Sequence, residues 1–195
     1  MKSYTKIFLT ILILLTIISE NSFAHCDSIN GPVVKASVKA LETGNINYVL
    51  VWVRPEDEKK LTLMFDNVNK VRALSQEAKE LADQYFFETV VRIHRMGEGV
   101  GYTGLKPADY KPEEGIEAAD IAVEKNSLSN VLTRLDEKHH AKVKTMFADL
   151  QSKKNYELND LAAGREYVES YVHFIHYVEE LYSGKEEHVK EMHKH

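Results

Sequence analysis

Helical patterning covers most of the chain after residue 31, and it limits the fold more than any other feature. The 195 residues include only four prolines, which stand between segments whose apolar residues recur every three or four positions. Six helices are predicted. Four are long and cover residues 55–73, 75–96, 127–151 and 159–182, and two shorter ones cover residues 33–42 and 116–125. The segment 45–53 could be a buried strand, but its neighbours favour a helix. We therefore expect an all-α, up-and-down helical bundle with about four long helices.

The beginning of the chain has the pattern of a secretory signal peptide. Lys2 and Lys6 precede an apolar stretch over residues 7–18. Ser22 and Ala24 then supply the small residues that a signal peptidase recognises. We therefore expect cleavage after Ala24 and export of the processed chain.

Export places the processed chain in a periplasm or in the medium. Its expected parts are a signal peptide, a single helical-bundle domain and a charged, disordered tail, over residues 1–24, 25–183 and 184–195. Cleavage leaves 23 basic and 29 acidic residues, and such a chain is a poor partner for nucleic acid. After the signal peptide the sequence has no second long apolar stretch, so stable membrane insertion of the processed chain is not expected. Whether the chain forms a homo-oligomer stays open.

Cleavage would expose an unusual set of metal-ligating groups. His25 would supply an α-amine and an imidazole, and Cys26 would supply a thiolate. These groups are good ligands for nickel or copper, with zinc as a further alternative. Cys26 is the only cysteine of the sequence, whereas exported proteins usually carry cysteines in pairs. The thiol therefore binds a metal, links to another chain, or is simply a tolerated free thiol.

Two further histidines are candidates because of their place on predicted helices. His139 falls within the apolar stripe of the helix over 127–151, so it is expected to be buried. A buried imidazole needs a partner, which could be a metal or a carbonyl or tyrosine of the core. His94 lies near a helix end, where Glu98 would form a structural ion pair if the imidazole does not bind a metal.

Two histidines of the last predicted helix are expected to behave differently. His176 sits at the edge of the apolar stripe, where Glu179 could orient its ring or pair with it. His173 falls among glutamates on a face that we expect to be solvated. The histidines of the charged tail predict no defined site.

Several segments resemble a family of exported bacterial proteins that has no assigned function. The resemblance rests on four stretches of the sequence: residues 25–27, 31–34, 86–107 and 163–179. It implies that these stretches belong together in one kind of protein, and it implies no mechanism.

The first residues of the processed chain also resemble the metal hook of nickel superoxide dismutase, which reads His-Cys-x-x-Pro-Cys-Gly and sits on a four-helix bundle. The chain matches at His25, Cys26 and Gly31, but Ile29 and Asn30 replace the proline and the second cysteine. The resemblance therefore implies that His25 and Cys26 ligate a metal. The missing thiolate is a soft donor that makes nickel redox accessible, so metal binding is implied more directly than dismutase activity.

Together these patterns predict an exported helical protein that binds a transition metal at its processed N-terminus. His25 and Cys26 would be ligands, and His139, His94 or His176 could complete the site. The function would be metal handling or a redox reaction on a small molecule such as superoxide. The alternative is a non-enzymatic interaction module with structural histidines. No catalytic residue is assigned, and Cys26, near a chain terminus, is expected to add little to the stability of the metal-free bundle.

The secreted protein should begin at His25. Ser22 and Ala24 satisfy the small-residue rule for cleavage, and the apolar stretch ends a few residues earlier. Intact-mass analysis of exported material measures the start directly. A processed chain that starts at any other residue would lack the α-amine next to Cys26, and the proposed hook would be lost.

Overall fold

A computed structural model describes residues 26–184 of the chain. The predicted signal peptide, His25 and the tail after Gly184 lie outside the described residues. Within them the protein is all-α, as predicted, and the extended structure is limited to a parallel bridge between Ser28 and Lys106. No helix in this part of the chain is long and apolar enough to cross a membrane.

The described residues form eight α-helices and a short 3-10 helix over Pro55–Asp57. The α-helices are α1 Pro32–Thr43, α2 Asn47–Leu50, α3 Glu58–Arg72, α4 Gln76–Gly97, α5 Glu114–Lys125, α6 Ser129–Leu132, α7 Glu137–Lys153 and α8 Leu161–Ser183. The longest are α3, α4, α7 and α8, which correspond to the four long helices that the sequence predicts. The segment 45–53, which could have been a strand, forms α2 and the turn after it.

Local signals in the sequence explain where the two longest helices begin. Ser75 caps α4, because its hydroxyl accepts a hydrogen bond from the backbone N–H of Ala78 at 3.1 Å. Asp160 caps α8 in the same way, with its carboxylate accepting from the N–H of Ala163 at 3.0 Å. Helix α8 ends at Gly184, whose φ of 68° lies in the left-handed region that glycine adopts without strain.

The prediction of one continuous helix over 127–151 was wrong. The chain is helical over α6, then breaks, and resumes as α7 after Asp136, whose ψ of 143° is not helical. The break leaves the carbonyl of Leu135 to pair with Nε2 of His140 at 3.0 Å. His139 therefore lies in the first turn of α7 and is half-buried rather than buried.

Two hydrophobic clusters make up the interior. The first is formed by α1 to α4 and includes Cys26, and the second is formed mainly by α5, α7 and α8. Trp52, in the turn after α2, packs against both clusters. Arg165 of α8 adds polar ties between the two parts, because its guanidinium donates to the carbonyls of Leu50 and Val53 at 3.1 and 3.0 Å.

Gly115→Ala should destabilise the protein, because α5 and α8 approach closely at this residue. An added Cβ would lie 2.7 Å from Cα of Glu179 and 3.0 Å from Cβ of Tyr182. Such overpacking typically lowers the free energy of unfolding by about 1–3 kcal/mol. Urea unfolding measures the loss, and Gly101→Ala is the control because nothing lies within 4 Å of its added Cβ. Equal stability of both variants would contradict the close α5–α8 packing.

Candidate metal centre

The first described residues are buried against the loop between α4 and α5. The backbone carbonyl of Asp27 accepts a hydrogen bond from the backbone N–H of Lys106 at 2.8 Å, and the N–H of Ile29 donates to the carbonyl of Lys106 at 3.0 Å. The side-chain amide of Asn30 donates to the carbonyl of Ala108 at 2.9 Å. These bonds fix residues 27–30 against that loop.

A buried ion pair joins this segment to α4. A carboxylate oxygen of Asp27 lies 3.2 Å from Nε of Arg95, and both side chains are almost fully buried. Burial raises the pKa of Asp27, and the charge of Arg95 opposes that rise. Arg95 also donates through Nη1 to Glu98 at 3.2 Å. One guanidinium therefore holds the carboxylates of both Asp27 and Glu98.

His94 is held with one ring nitrogen available. Its Nδ1 lies 2.8 Å from the carbonyl oxygen of Trp52, so Nδ1 carries the proton and donates it to that carbonyl in the neutral ring. Its Nε2 lies 3.4 Å from Oε1 of Glu98 but is buried with no hydrogen-bond partner in the described part of the chain. A backbone carbonyl on the far nitrogen is the arrangement that orients histidine ligands of metals.

Cys26, His94 and Glu98 bring their ligand atoms together. The Sγ of Cys26, a ring nitrogen of His94 and a carboxylate oxygen of Glu98 lie within 4.8 Å of one another. Ligands of one tetrahedral zinc-sized ion lie roughly 3.3–3.8 Å apart, given metal–ligand bonds of about 2.0–2.3 Å. Small side-chain adjustments would therefore close these atoms around an ion. A thiolate, an imidazole and a carboxylate form a chemically reasonable transition-metal set.

The thiol of Cys26 is strongly protected. The residue is 6% exposed, and burial, followed by the charge of Glu98, raises its pKa well above the ordinary value. Cys26 belongs to the first hydrophobic cluster, so its burial removes the reason for expecting that it adds little to stability. Slow alkylation would follow from burial alone and would not by itself indicate a bound metal.

Aromatic side chains surround the cluster on the side of the second hydrophobic core. The ring of Trp52 meets those of His94 and Tyr171 edge-on, at centroid distances of 5.7 and 5.9 Å. The hydroxyl of Tyr171 donates to Asp120 at 2.6 Å. Burial, followed by the charge of Asp120, raises the pKa of Tyr171 well above its ordinary value. On this side the candidate centre is therefore enclosed by aromatic rings.

A cleft of about 400 Å³ leads to the cluster and includes His94 and Glu98 in its lining. Its other walls come from the segment between α2 and α3 and from α8. Arg54 holds the first wall against the end of α4, because its guanidinium donates to the carbonyl of Met96 at 3.0 Å. The cleft therefore brings solvent to Glu98 and to the edge of the cluster, while Nε2 of His94 stays buried behind it.

The structure brings together only some of the predicted site residues. His94 and Cys26 meet, whereas His139 and His176 do not belong to the cluster. His139 is half-buried in the first turn of α7. His176 is buried, and its Nδ1 lies 2.7 Å from Glu179, which agrees with the predicted orienting contact. Glu98 was expected to be an ion-pair partner of His94, and its position beside Cys26 adds it as a candidate ligand.

A second, larger cavity lies elsewhere. The groove between α3 and α4 measures about 960 Å³, and exposed apolar side chains line it, including Leu63, Leu81 and Tyr85. None of the described residues that line this groove is a histidine or a cysteine. The groove is therefore separate from the candidate metal centre.

Comparison with family models gives one finding. The model of a family of unknown function, DUF6448, matches residues 30–177, which is most of the chain. The chain belongs to this family. The part matched to DUF6448 contains His94 and Glu98, and Cys26 lies just before it. Comparisons with curated proteins and with solved structures give no match. Membership in DUF6448 agrees with the resemblance to a family without an assigned function.

The metal-free protein should lose stability at alkaline pH because of Cys26. Its raised pKa means that the folded protein keeps the thiol proton at pH values where the unfolded chain, with a pKa of about 8.5, releases it. The free energy of unfolding should therefore fall above about pH 8.5, by up to about 1.4 kcal/mol per pH unit from this thiol.

The comparison with Cys26→Ala isolates this contribution from that of the tyrosines. Urea unfolding of both metal-free proteins between about pH 7 and pH 10 should show the wild-type advantage shrinking as the pH rises. A difference between the two proteins that does not vary with pH would contradict the raised pKa.

Proposed function

We propose that this protein is exported and binds a transition metal at a centre formed by its processed N-terminus with Cys26, His94 and Glu98. The observation that carries the proposal is the convergence of a buried thiol, a buried imidazole and a carboxylate at the protein surface within 4.8 Å. A buried Nε2 without a hydrogen-bond partner, aimed at this cluster, is costly unless another group binds it.

The processed N-terminus would supply the remaining donors. His25 precedes Cys26 directly, and consecutive Cα atoms lie about 3.8 Å apart, so its amine and imidazole are within reach of an ion bound by Cys26. In this account His25 completes the site, and neither His139 nor His176 is needed. Nickel or copper suits an amine, imidazole and thiolate set, and the carboxylate of Glu98 also keeps zinc among the candidates.

Metal handling and small-molecule redox chemistry both start from this binding step. The cleft at His94 and Glu98 supports either, because it offers a small species a path to a centre otherwise enclosed by protein. Superoxide dismutation is one such reaction and would require the bound metal to cycle between oxidation states. The choice between the two functions therefore depends on the metal and its redox activity.

The alternative is a non-enzymatic interaction module, and the apolar groove between α3 and α4 favours it. Large exposed apolar surfaces are uncommon unless they have a role, and Leu81 and Tyr85 are 70% and 60% exposed. The metal content of the protein separates the two functions. Metal-free protein from the exporting host, with its native N-terminus, would favour the interaction module.

His94→Gln should weaken metal binding while leaving the fold intact. The substitution removes the imidazole nitrogen that faces Cys26 and Glu98, so affinity for nickel or copper should fall by at least about tenfold. Competition titration against a chelator of known affinity measures the loss, and circular dichroism checks the helical content. His140→Gln is the matched control, because His140 lies outside the cluster.

Extension of the N-terminus by a single alanine before His25 should have a similar effect. It keeps every side chain but converts the α-amine into an amide, so one donor is lost. Affinities of the extended protein and the His94→Gln variant that equal those of the wild type would argue against the proposed centre.

A further inference from the structure

We infer that the cleft between α4 and α8 is the route by which a metal ion reaches the centre, and that Glu169 and His173 form an outer, transient ligand pair on it. This inference rests on the proposed metal-binding function. It assigns a role to His173, which the sequence pattern places on a solvated face.

Both residues line the same cleft as two of the inner ligands. His94 and Glu98 reach it from α4, while Glu169 and His173 reach it from α8. Each pair combines an imidazole with a carboxylate four residues away, and this spacing places both side chains on one face of a helix. The cleft therefore has a histidine and a glutamate on each of two facing walls.

The outer pair is available for binding. Glu169 is exposed and His173 is half-buried, and within residues 26–184 neither side chain makes a hydrogen bond or an ion pair. An imidazole and a carboxylate are ordinary ligands for divalent transition metals. Two protein ligands hold an ion weakly, so this pair would bind it briefly on its way inward.

The cleft is lined by two arginines and two glutamates, and Glu169 is the one of them without an opposite partner among the described residues. Two arginines line it, but each has a carboxylate partner: Arg54 lies 3.6 Å from Glu56, and Arg165 pairs with Glu58. The carboxylate of Glu169 has no such partner and faces the cleft. An unpaired carboxylate on the wall of the cleft attracts cations and speeds their association.

The outer pair is not part of the final centre. The ligand atoms that cluster within 4.8 Å belong to Cys26, His94 and Glu98, and those of Glu169 and His173 are not among them. Their loss should therefore change the rates at which metal enters and leaves, and these two changes should cancel in the affinity.

Stopped-flow mixing of nickel(II) with the metal-free, natively processed protein tests this route, because the nickel–thiolate absorption reports arrival at Cys26. The double variant Glu169→Gln with His173→Gln should take up nickel on the order of tenfold more slowly than the wild type. Its equilibrium affinity and bound stoichiometry should match the wild type. Glu166→Gln is the matched control, since it removes the same charge from an exposed residue of α8 outside the cleft.

The outcomes separate this inference from the proposed function. Wild-type protein that binds no nickel, copper or zinc would overturn both. Normal wild-type binding with an unchanged uptake rate in the double variant would overturn the route alone. A fall in equilibrium affinity would also overturn it, because the pair would then ligate the final centre. Glu169→Lys, a change at an exposed residue, provides a second variant and should slow uptake further.

Discussion

The buried ion pair between Asp27 and Arg95 fixes the first described residues to α4. Two charges removed from water are costly unless they are paired, so Asp27 stays in the interior only while Arg95 faces it at 3.2 Å. Because Cys26 precedes Asp27, this pair also places the thiol next to α4. The same guanidinium holds Glu98, and a single positive charge thus assembles two of the candidate ligands.

Trp52 is the second element on which the centre depends. Its backbone carbonyl fixes the tautomer and orientation of His94, and its ring packs against both hydrophobic clusters. The position of the imidazole is therefore linked to the packing between the two parts of the fold. A site with rigid support of this kind loses little conformational entropy when it binds an ion.

The sequence predicts the fold well because local signals agree with the periodic pattern. Ser75 and Asp160 are residue types that commonly cap helices and they do so here, and the all-α class follows from the apolar spacing. The break before α7 was missed because the leucines that precede Asp136 continue the helical period of the following segment. That miss placed His139 in the core, although it lies at the start of a new helix.

The candidate site could be predicted only in part. Cys26 and His94 stand out from the sequence, but nothing in their spacing shows that the segment around Cys26 lies beside the end of α4. This proximity depends on tertiary contacts with Lys106 and Arg95. In the sequence, Glu98 is equally consistent with an ion-pair partner of His94 near the end of the same helix. His173 was expected on a solvated face because the cleft beside it is formed by residues distant in sequence.

X-ray absorption spectroscopy of protein purified from the exporting host, with its native N-terminus, tests the central claim most directly. The account predicts a bound transition metal with one sulfur ligand and several nitrogen or oxygen ligands, and loss of the sulfur contribution in Cys26→Ser. A metal whose ligand shell contains no sulfur, or a shell unchanged by Cys26→Ser, would contradict it.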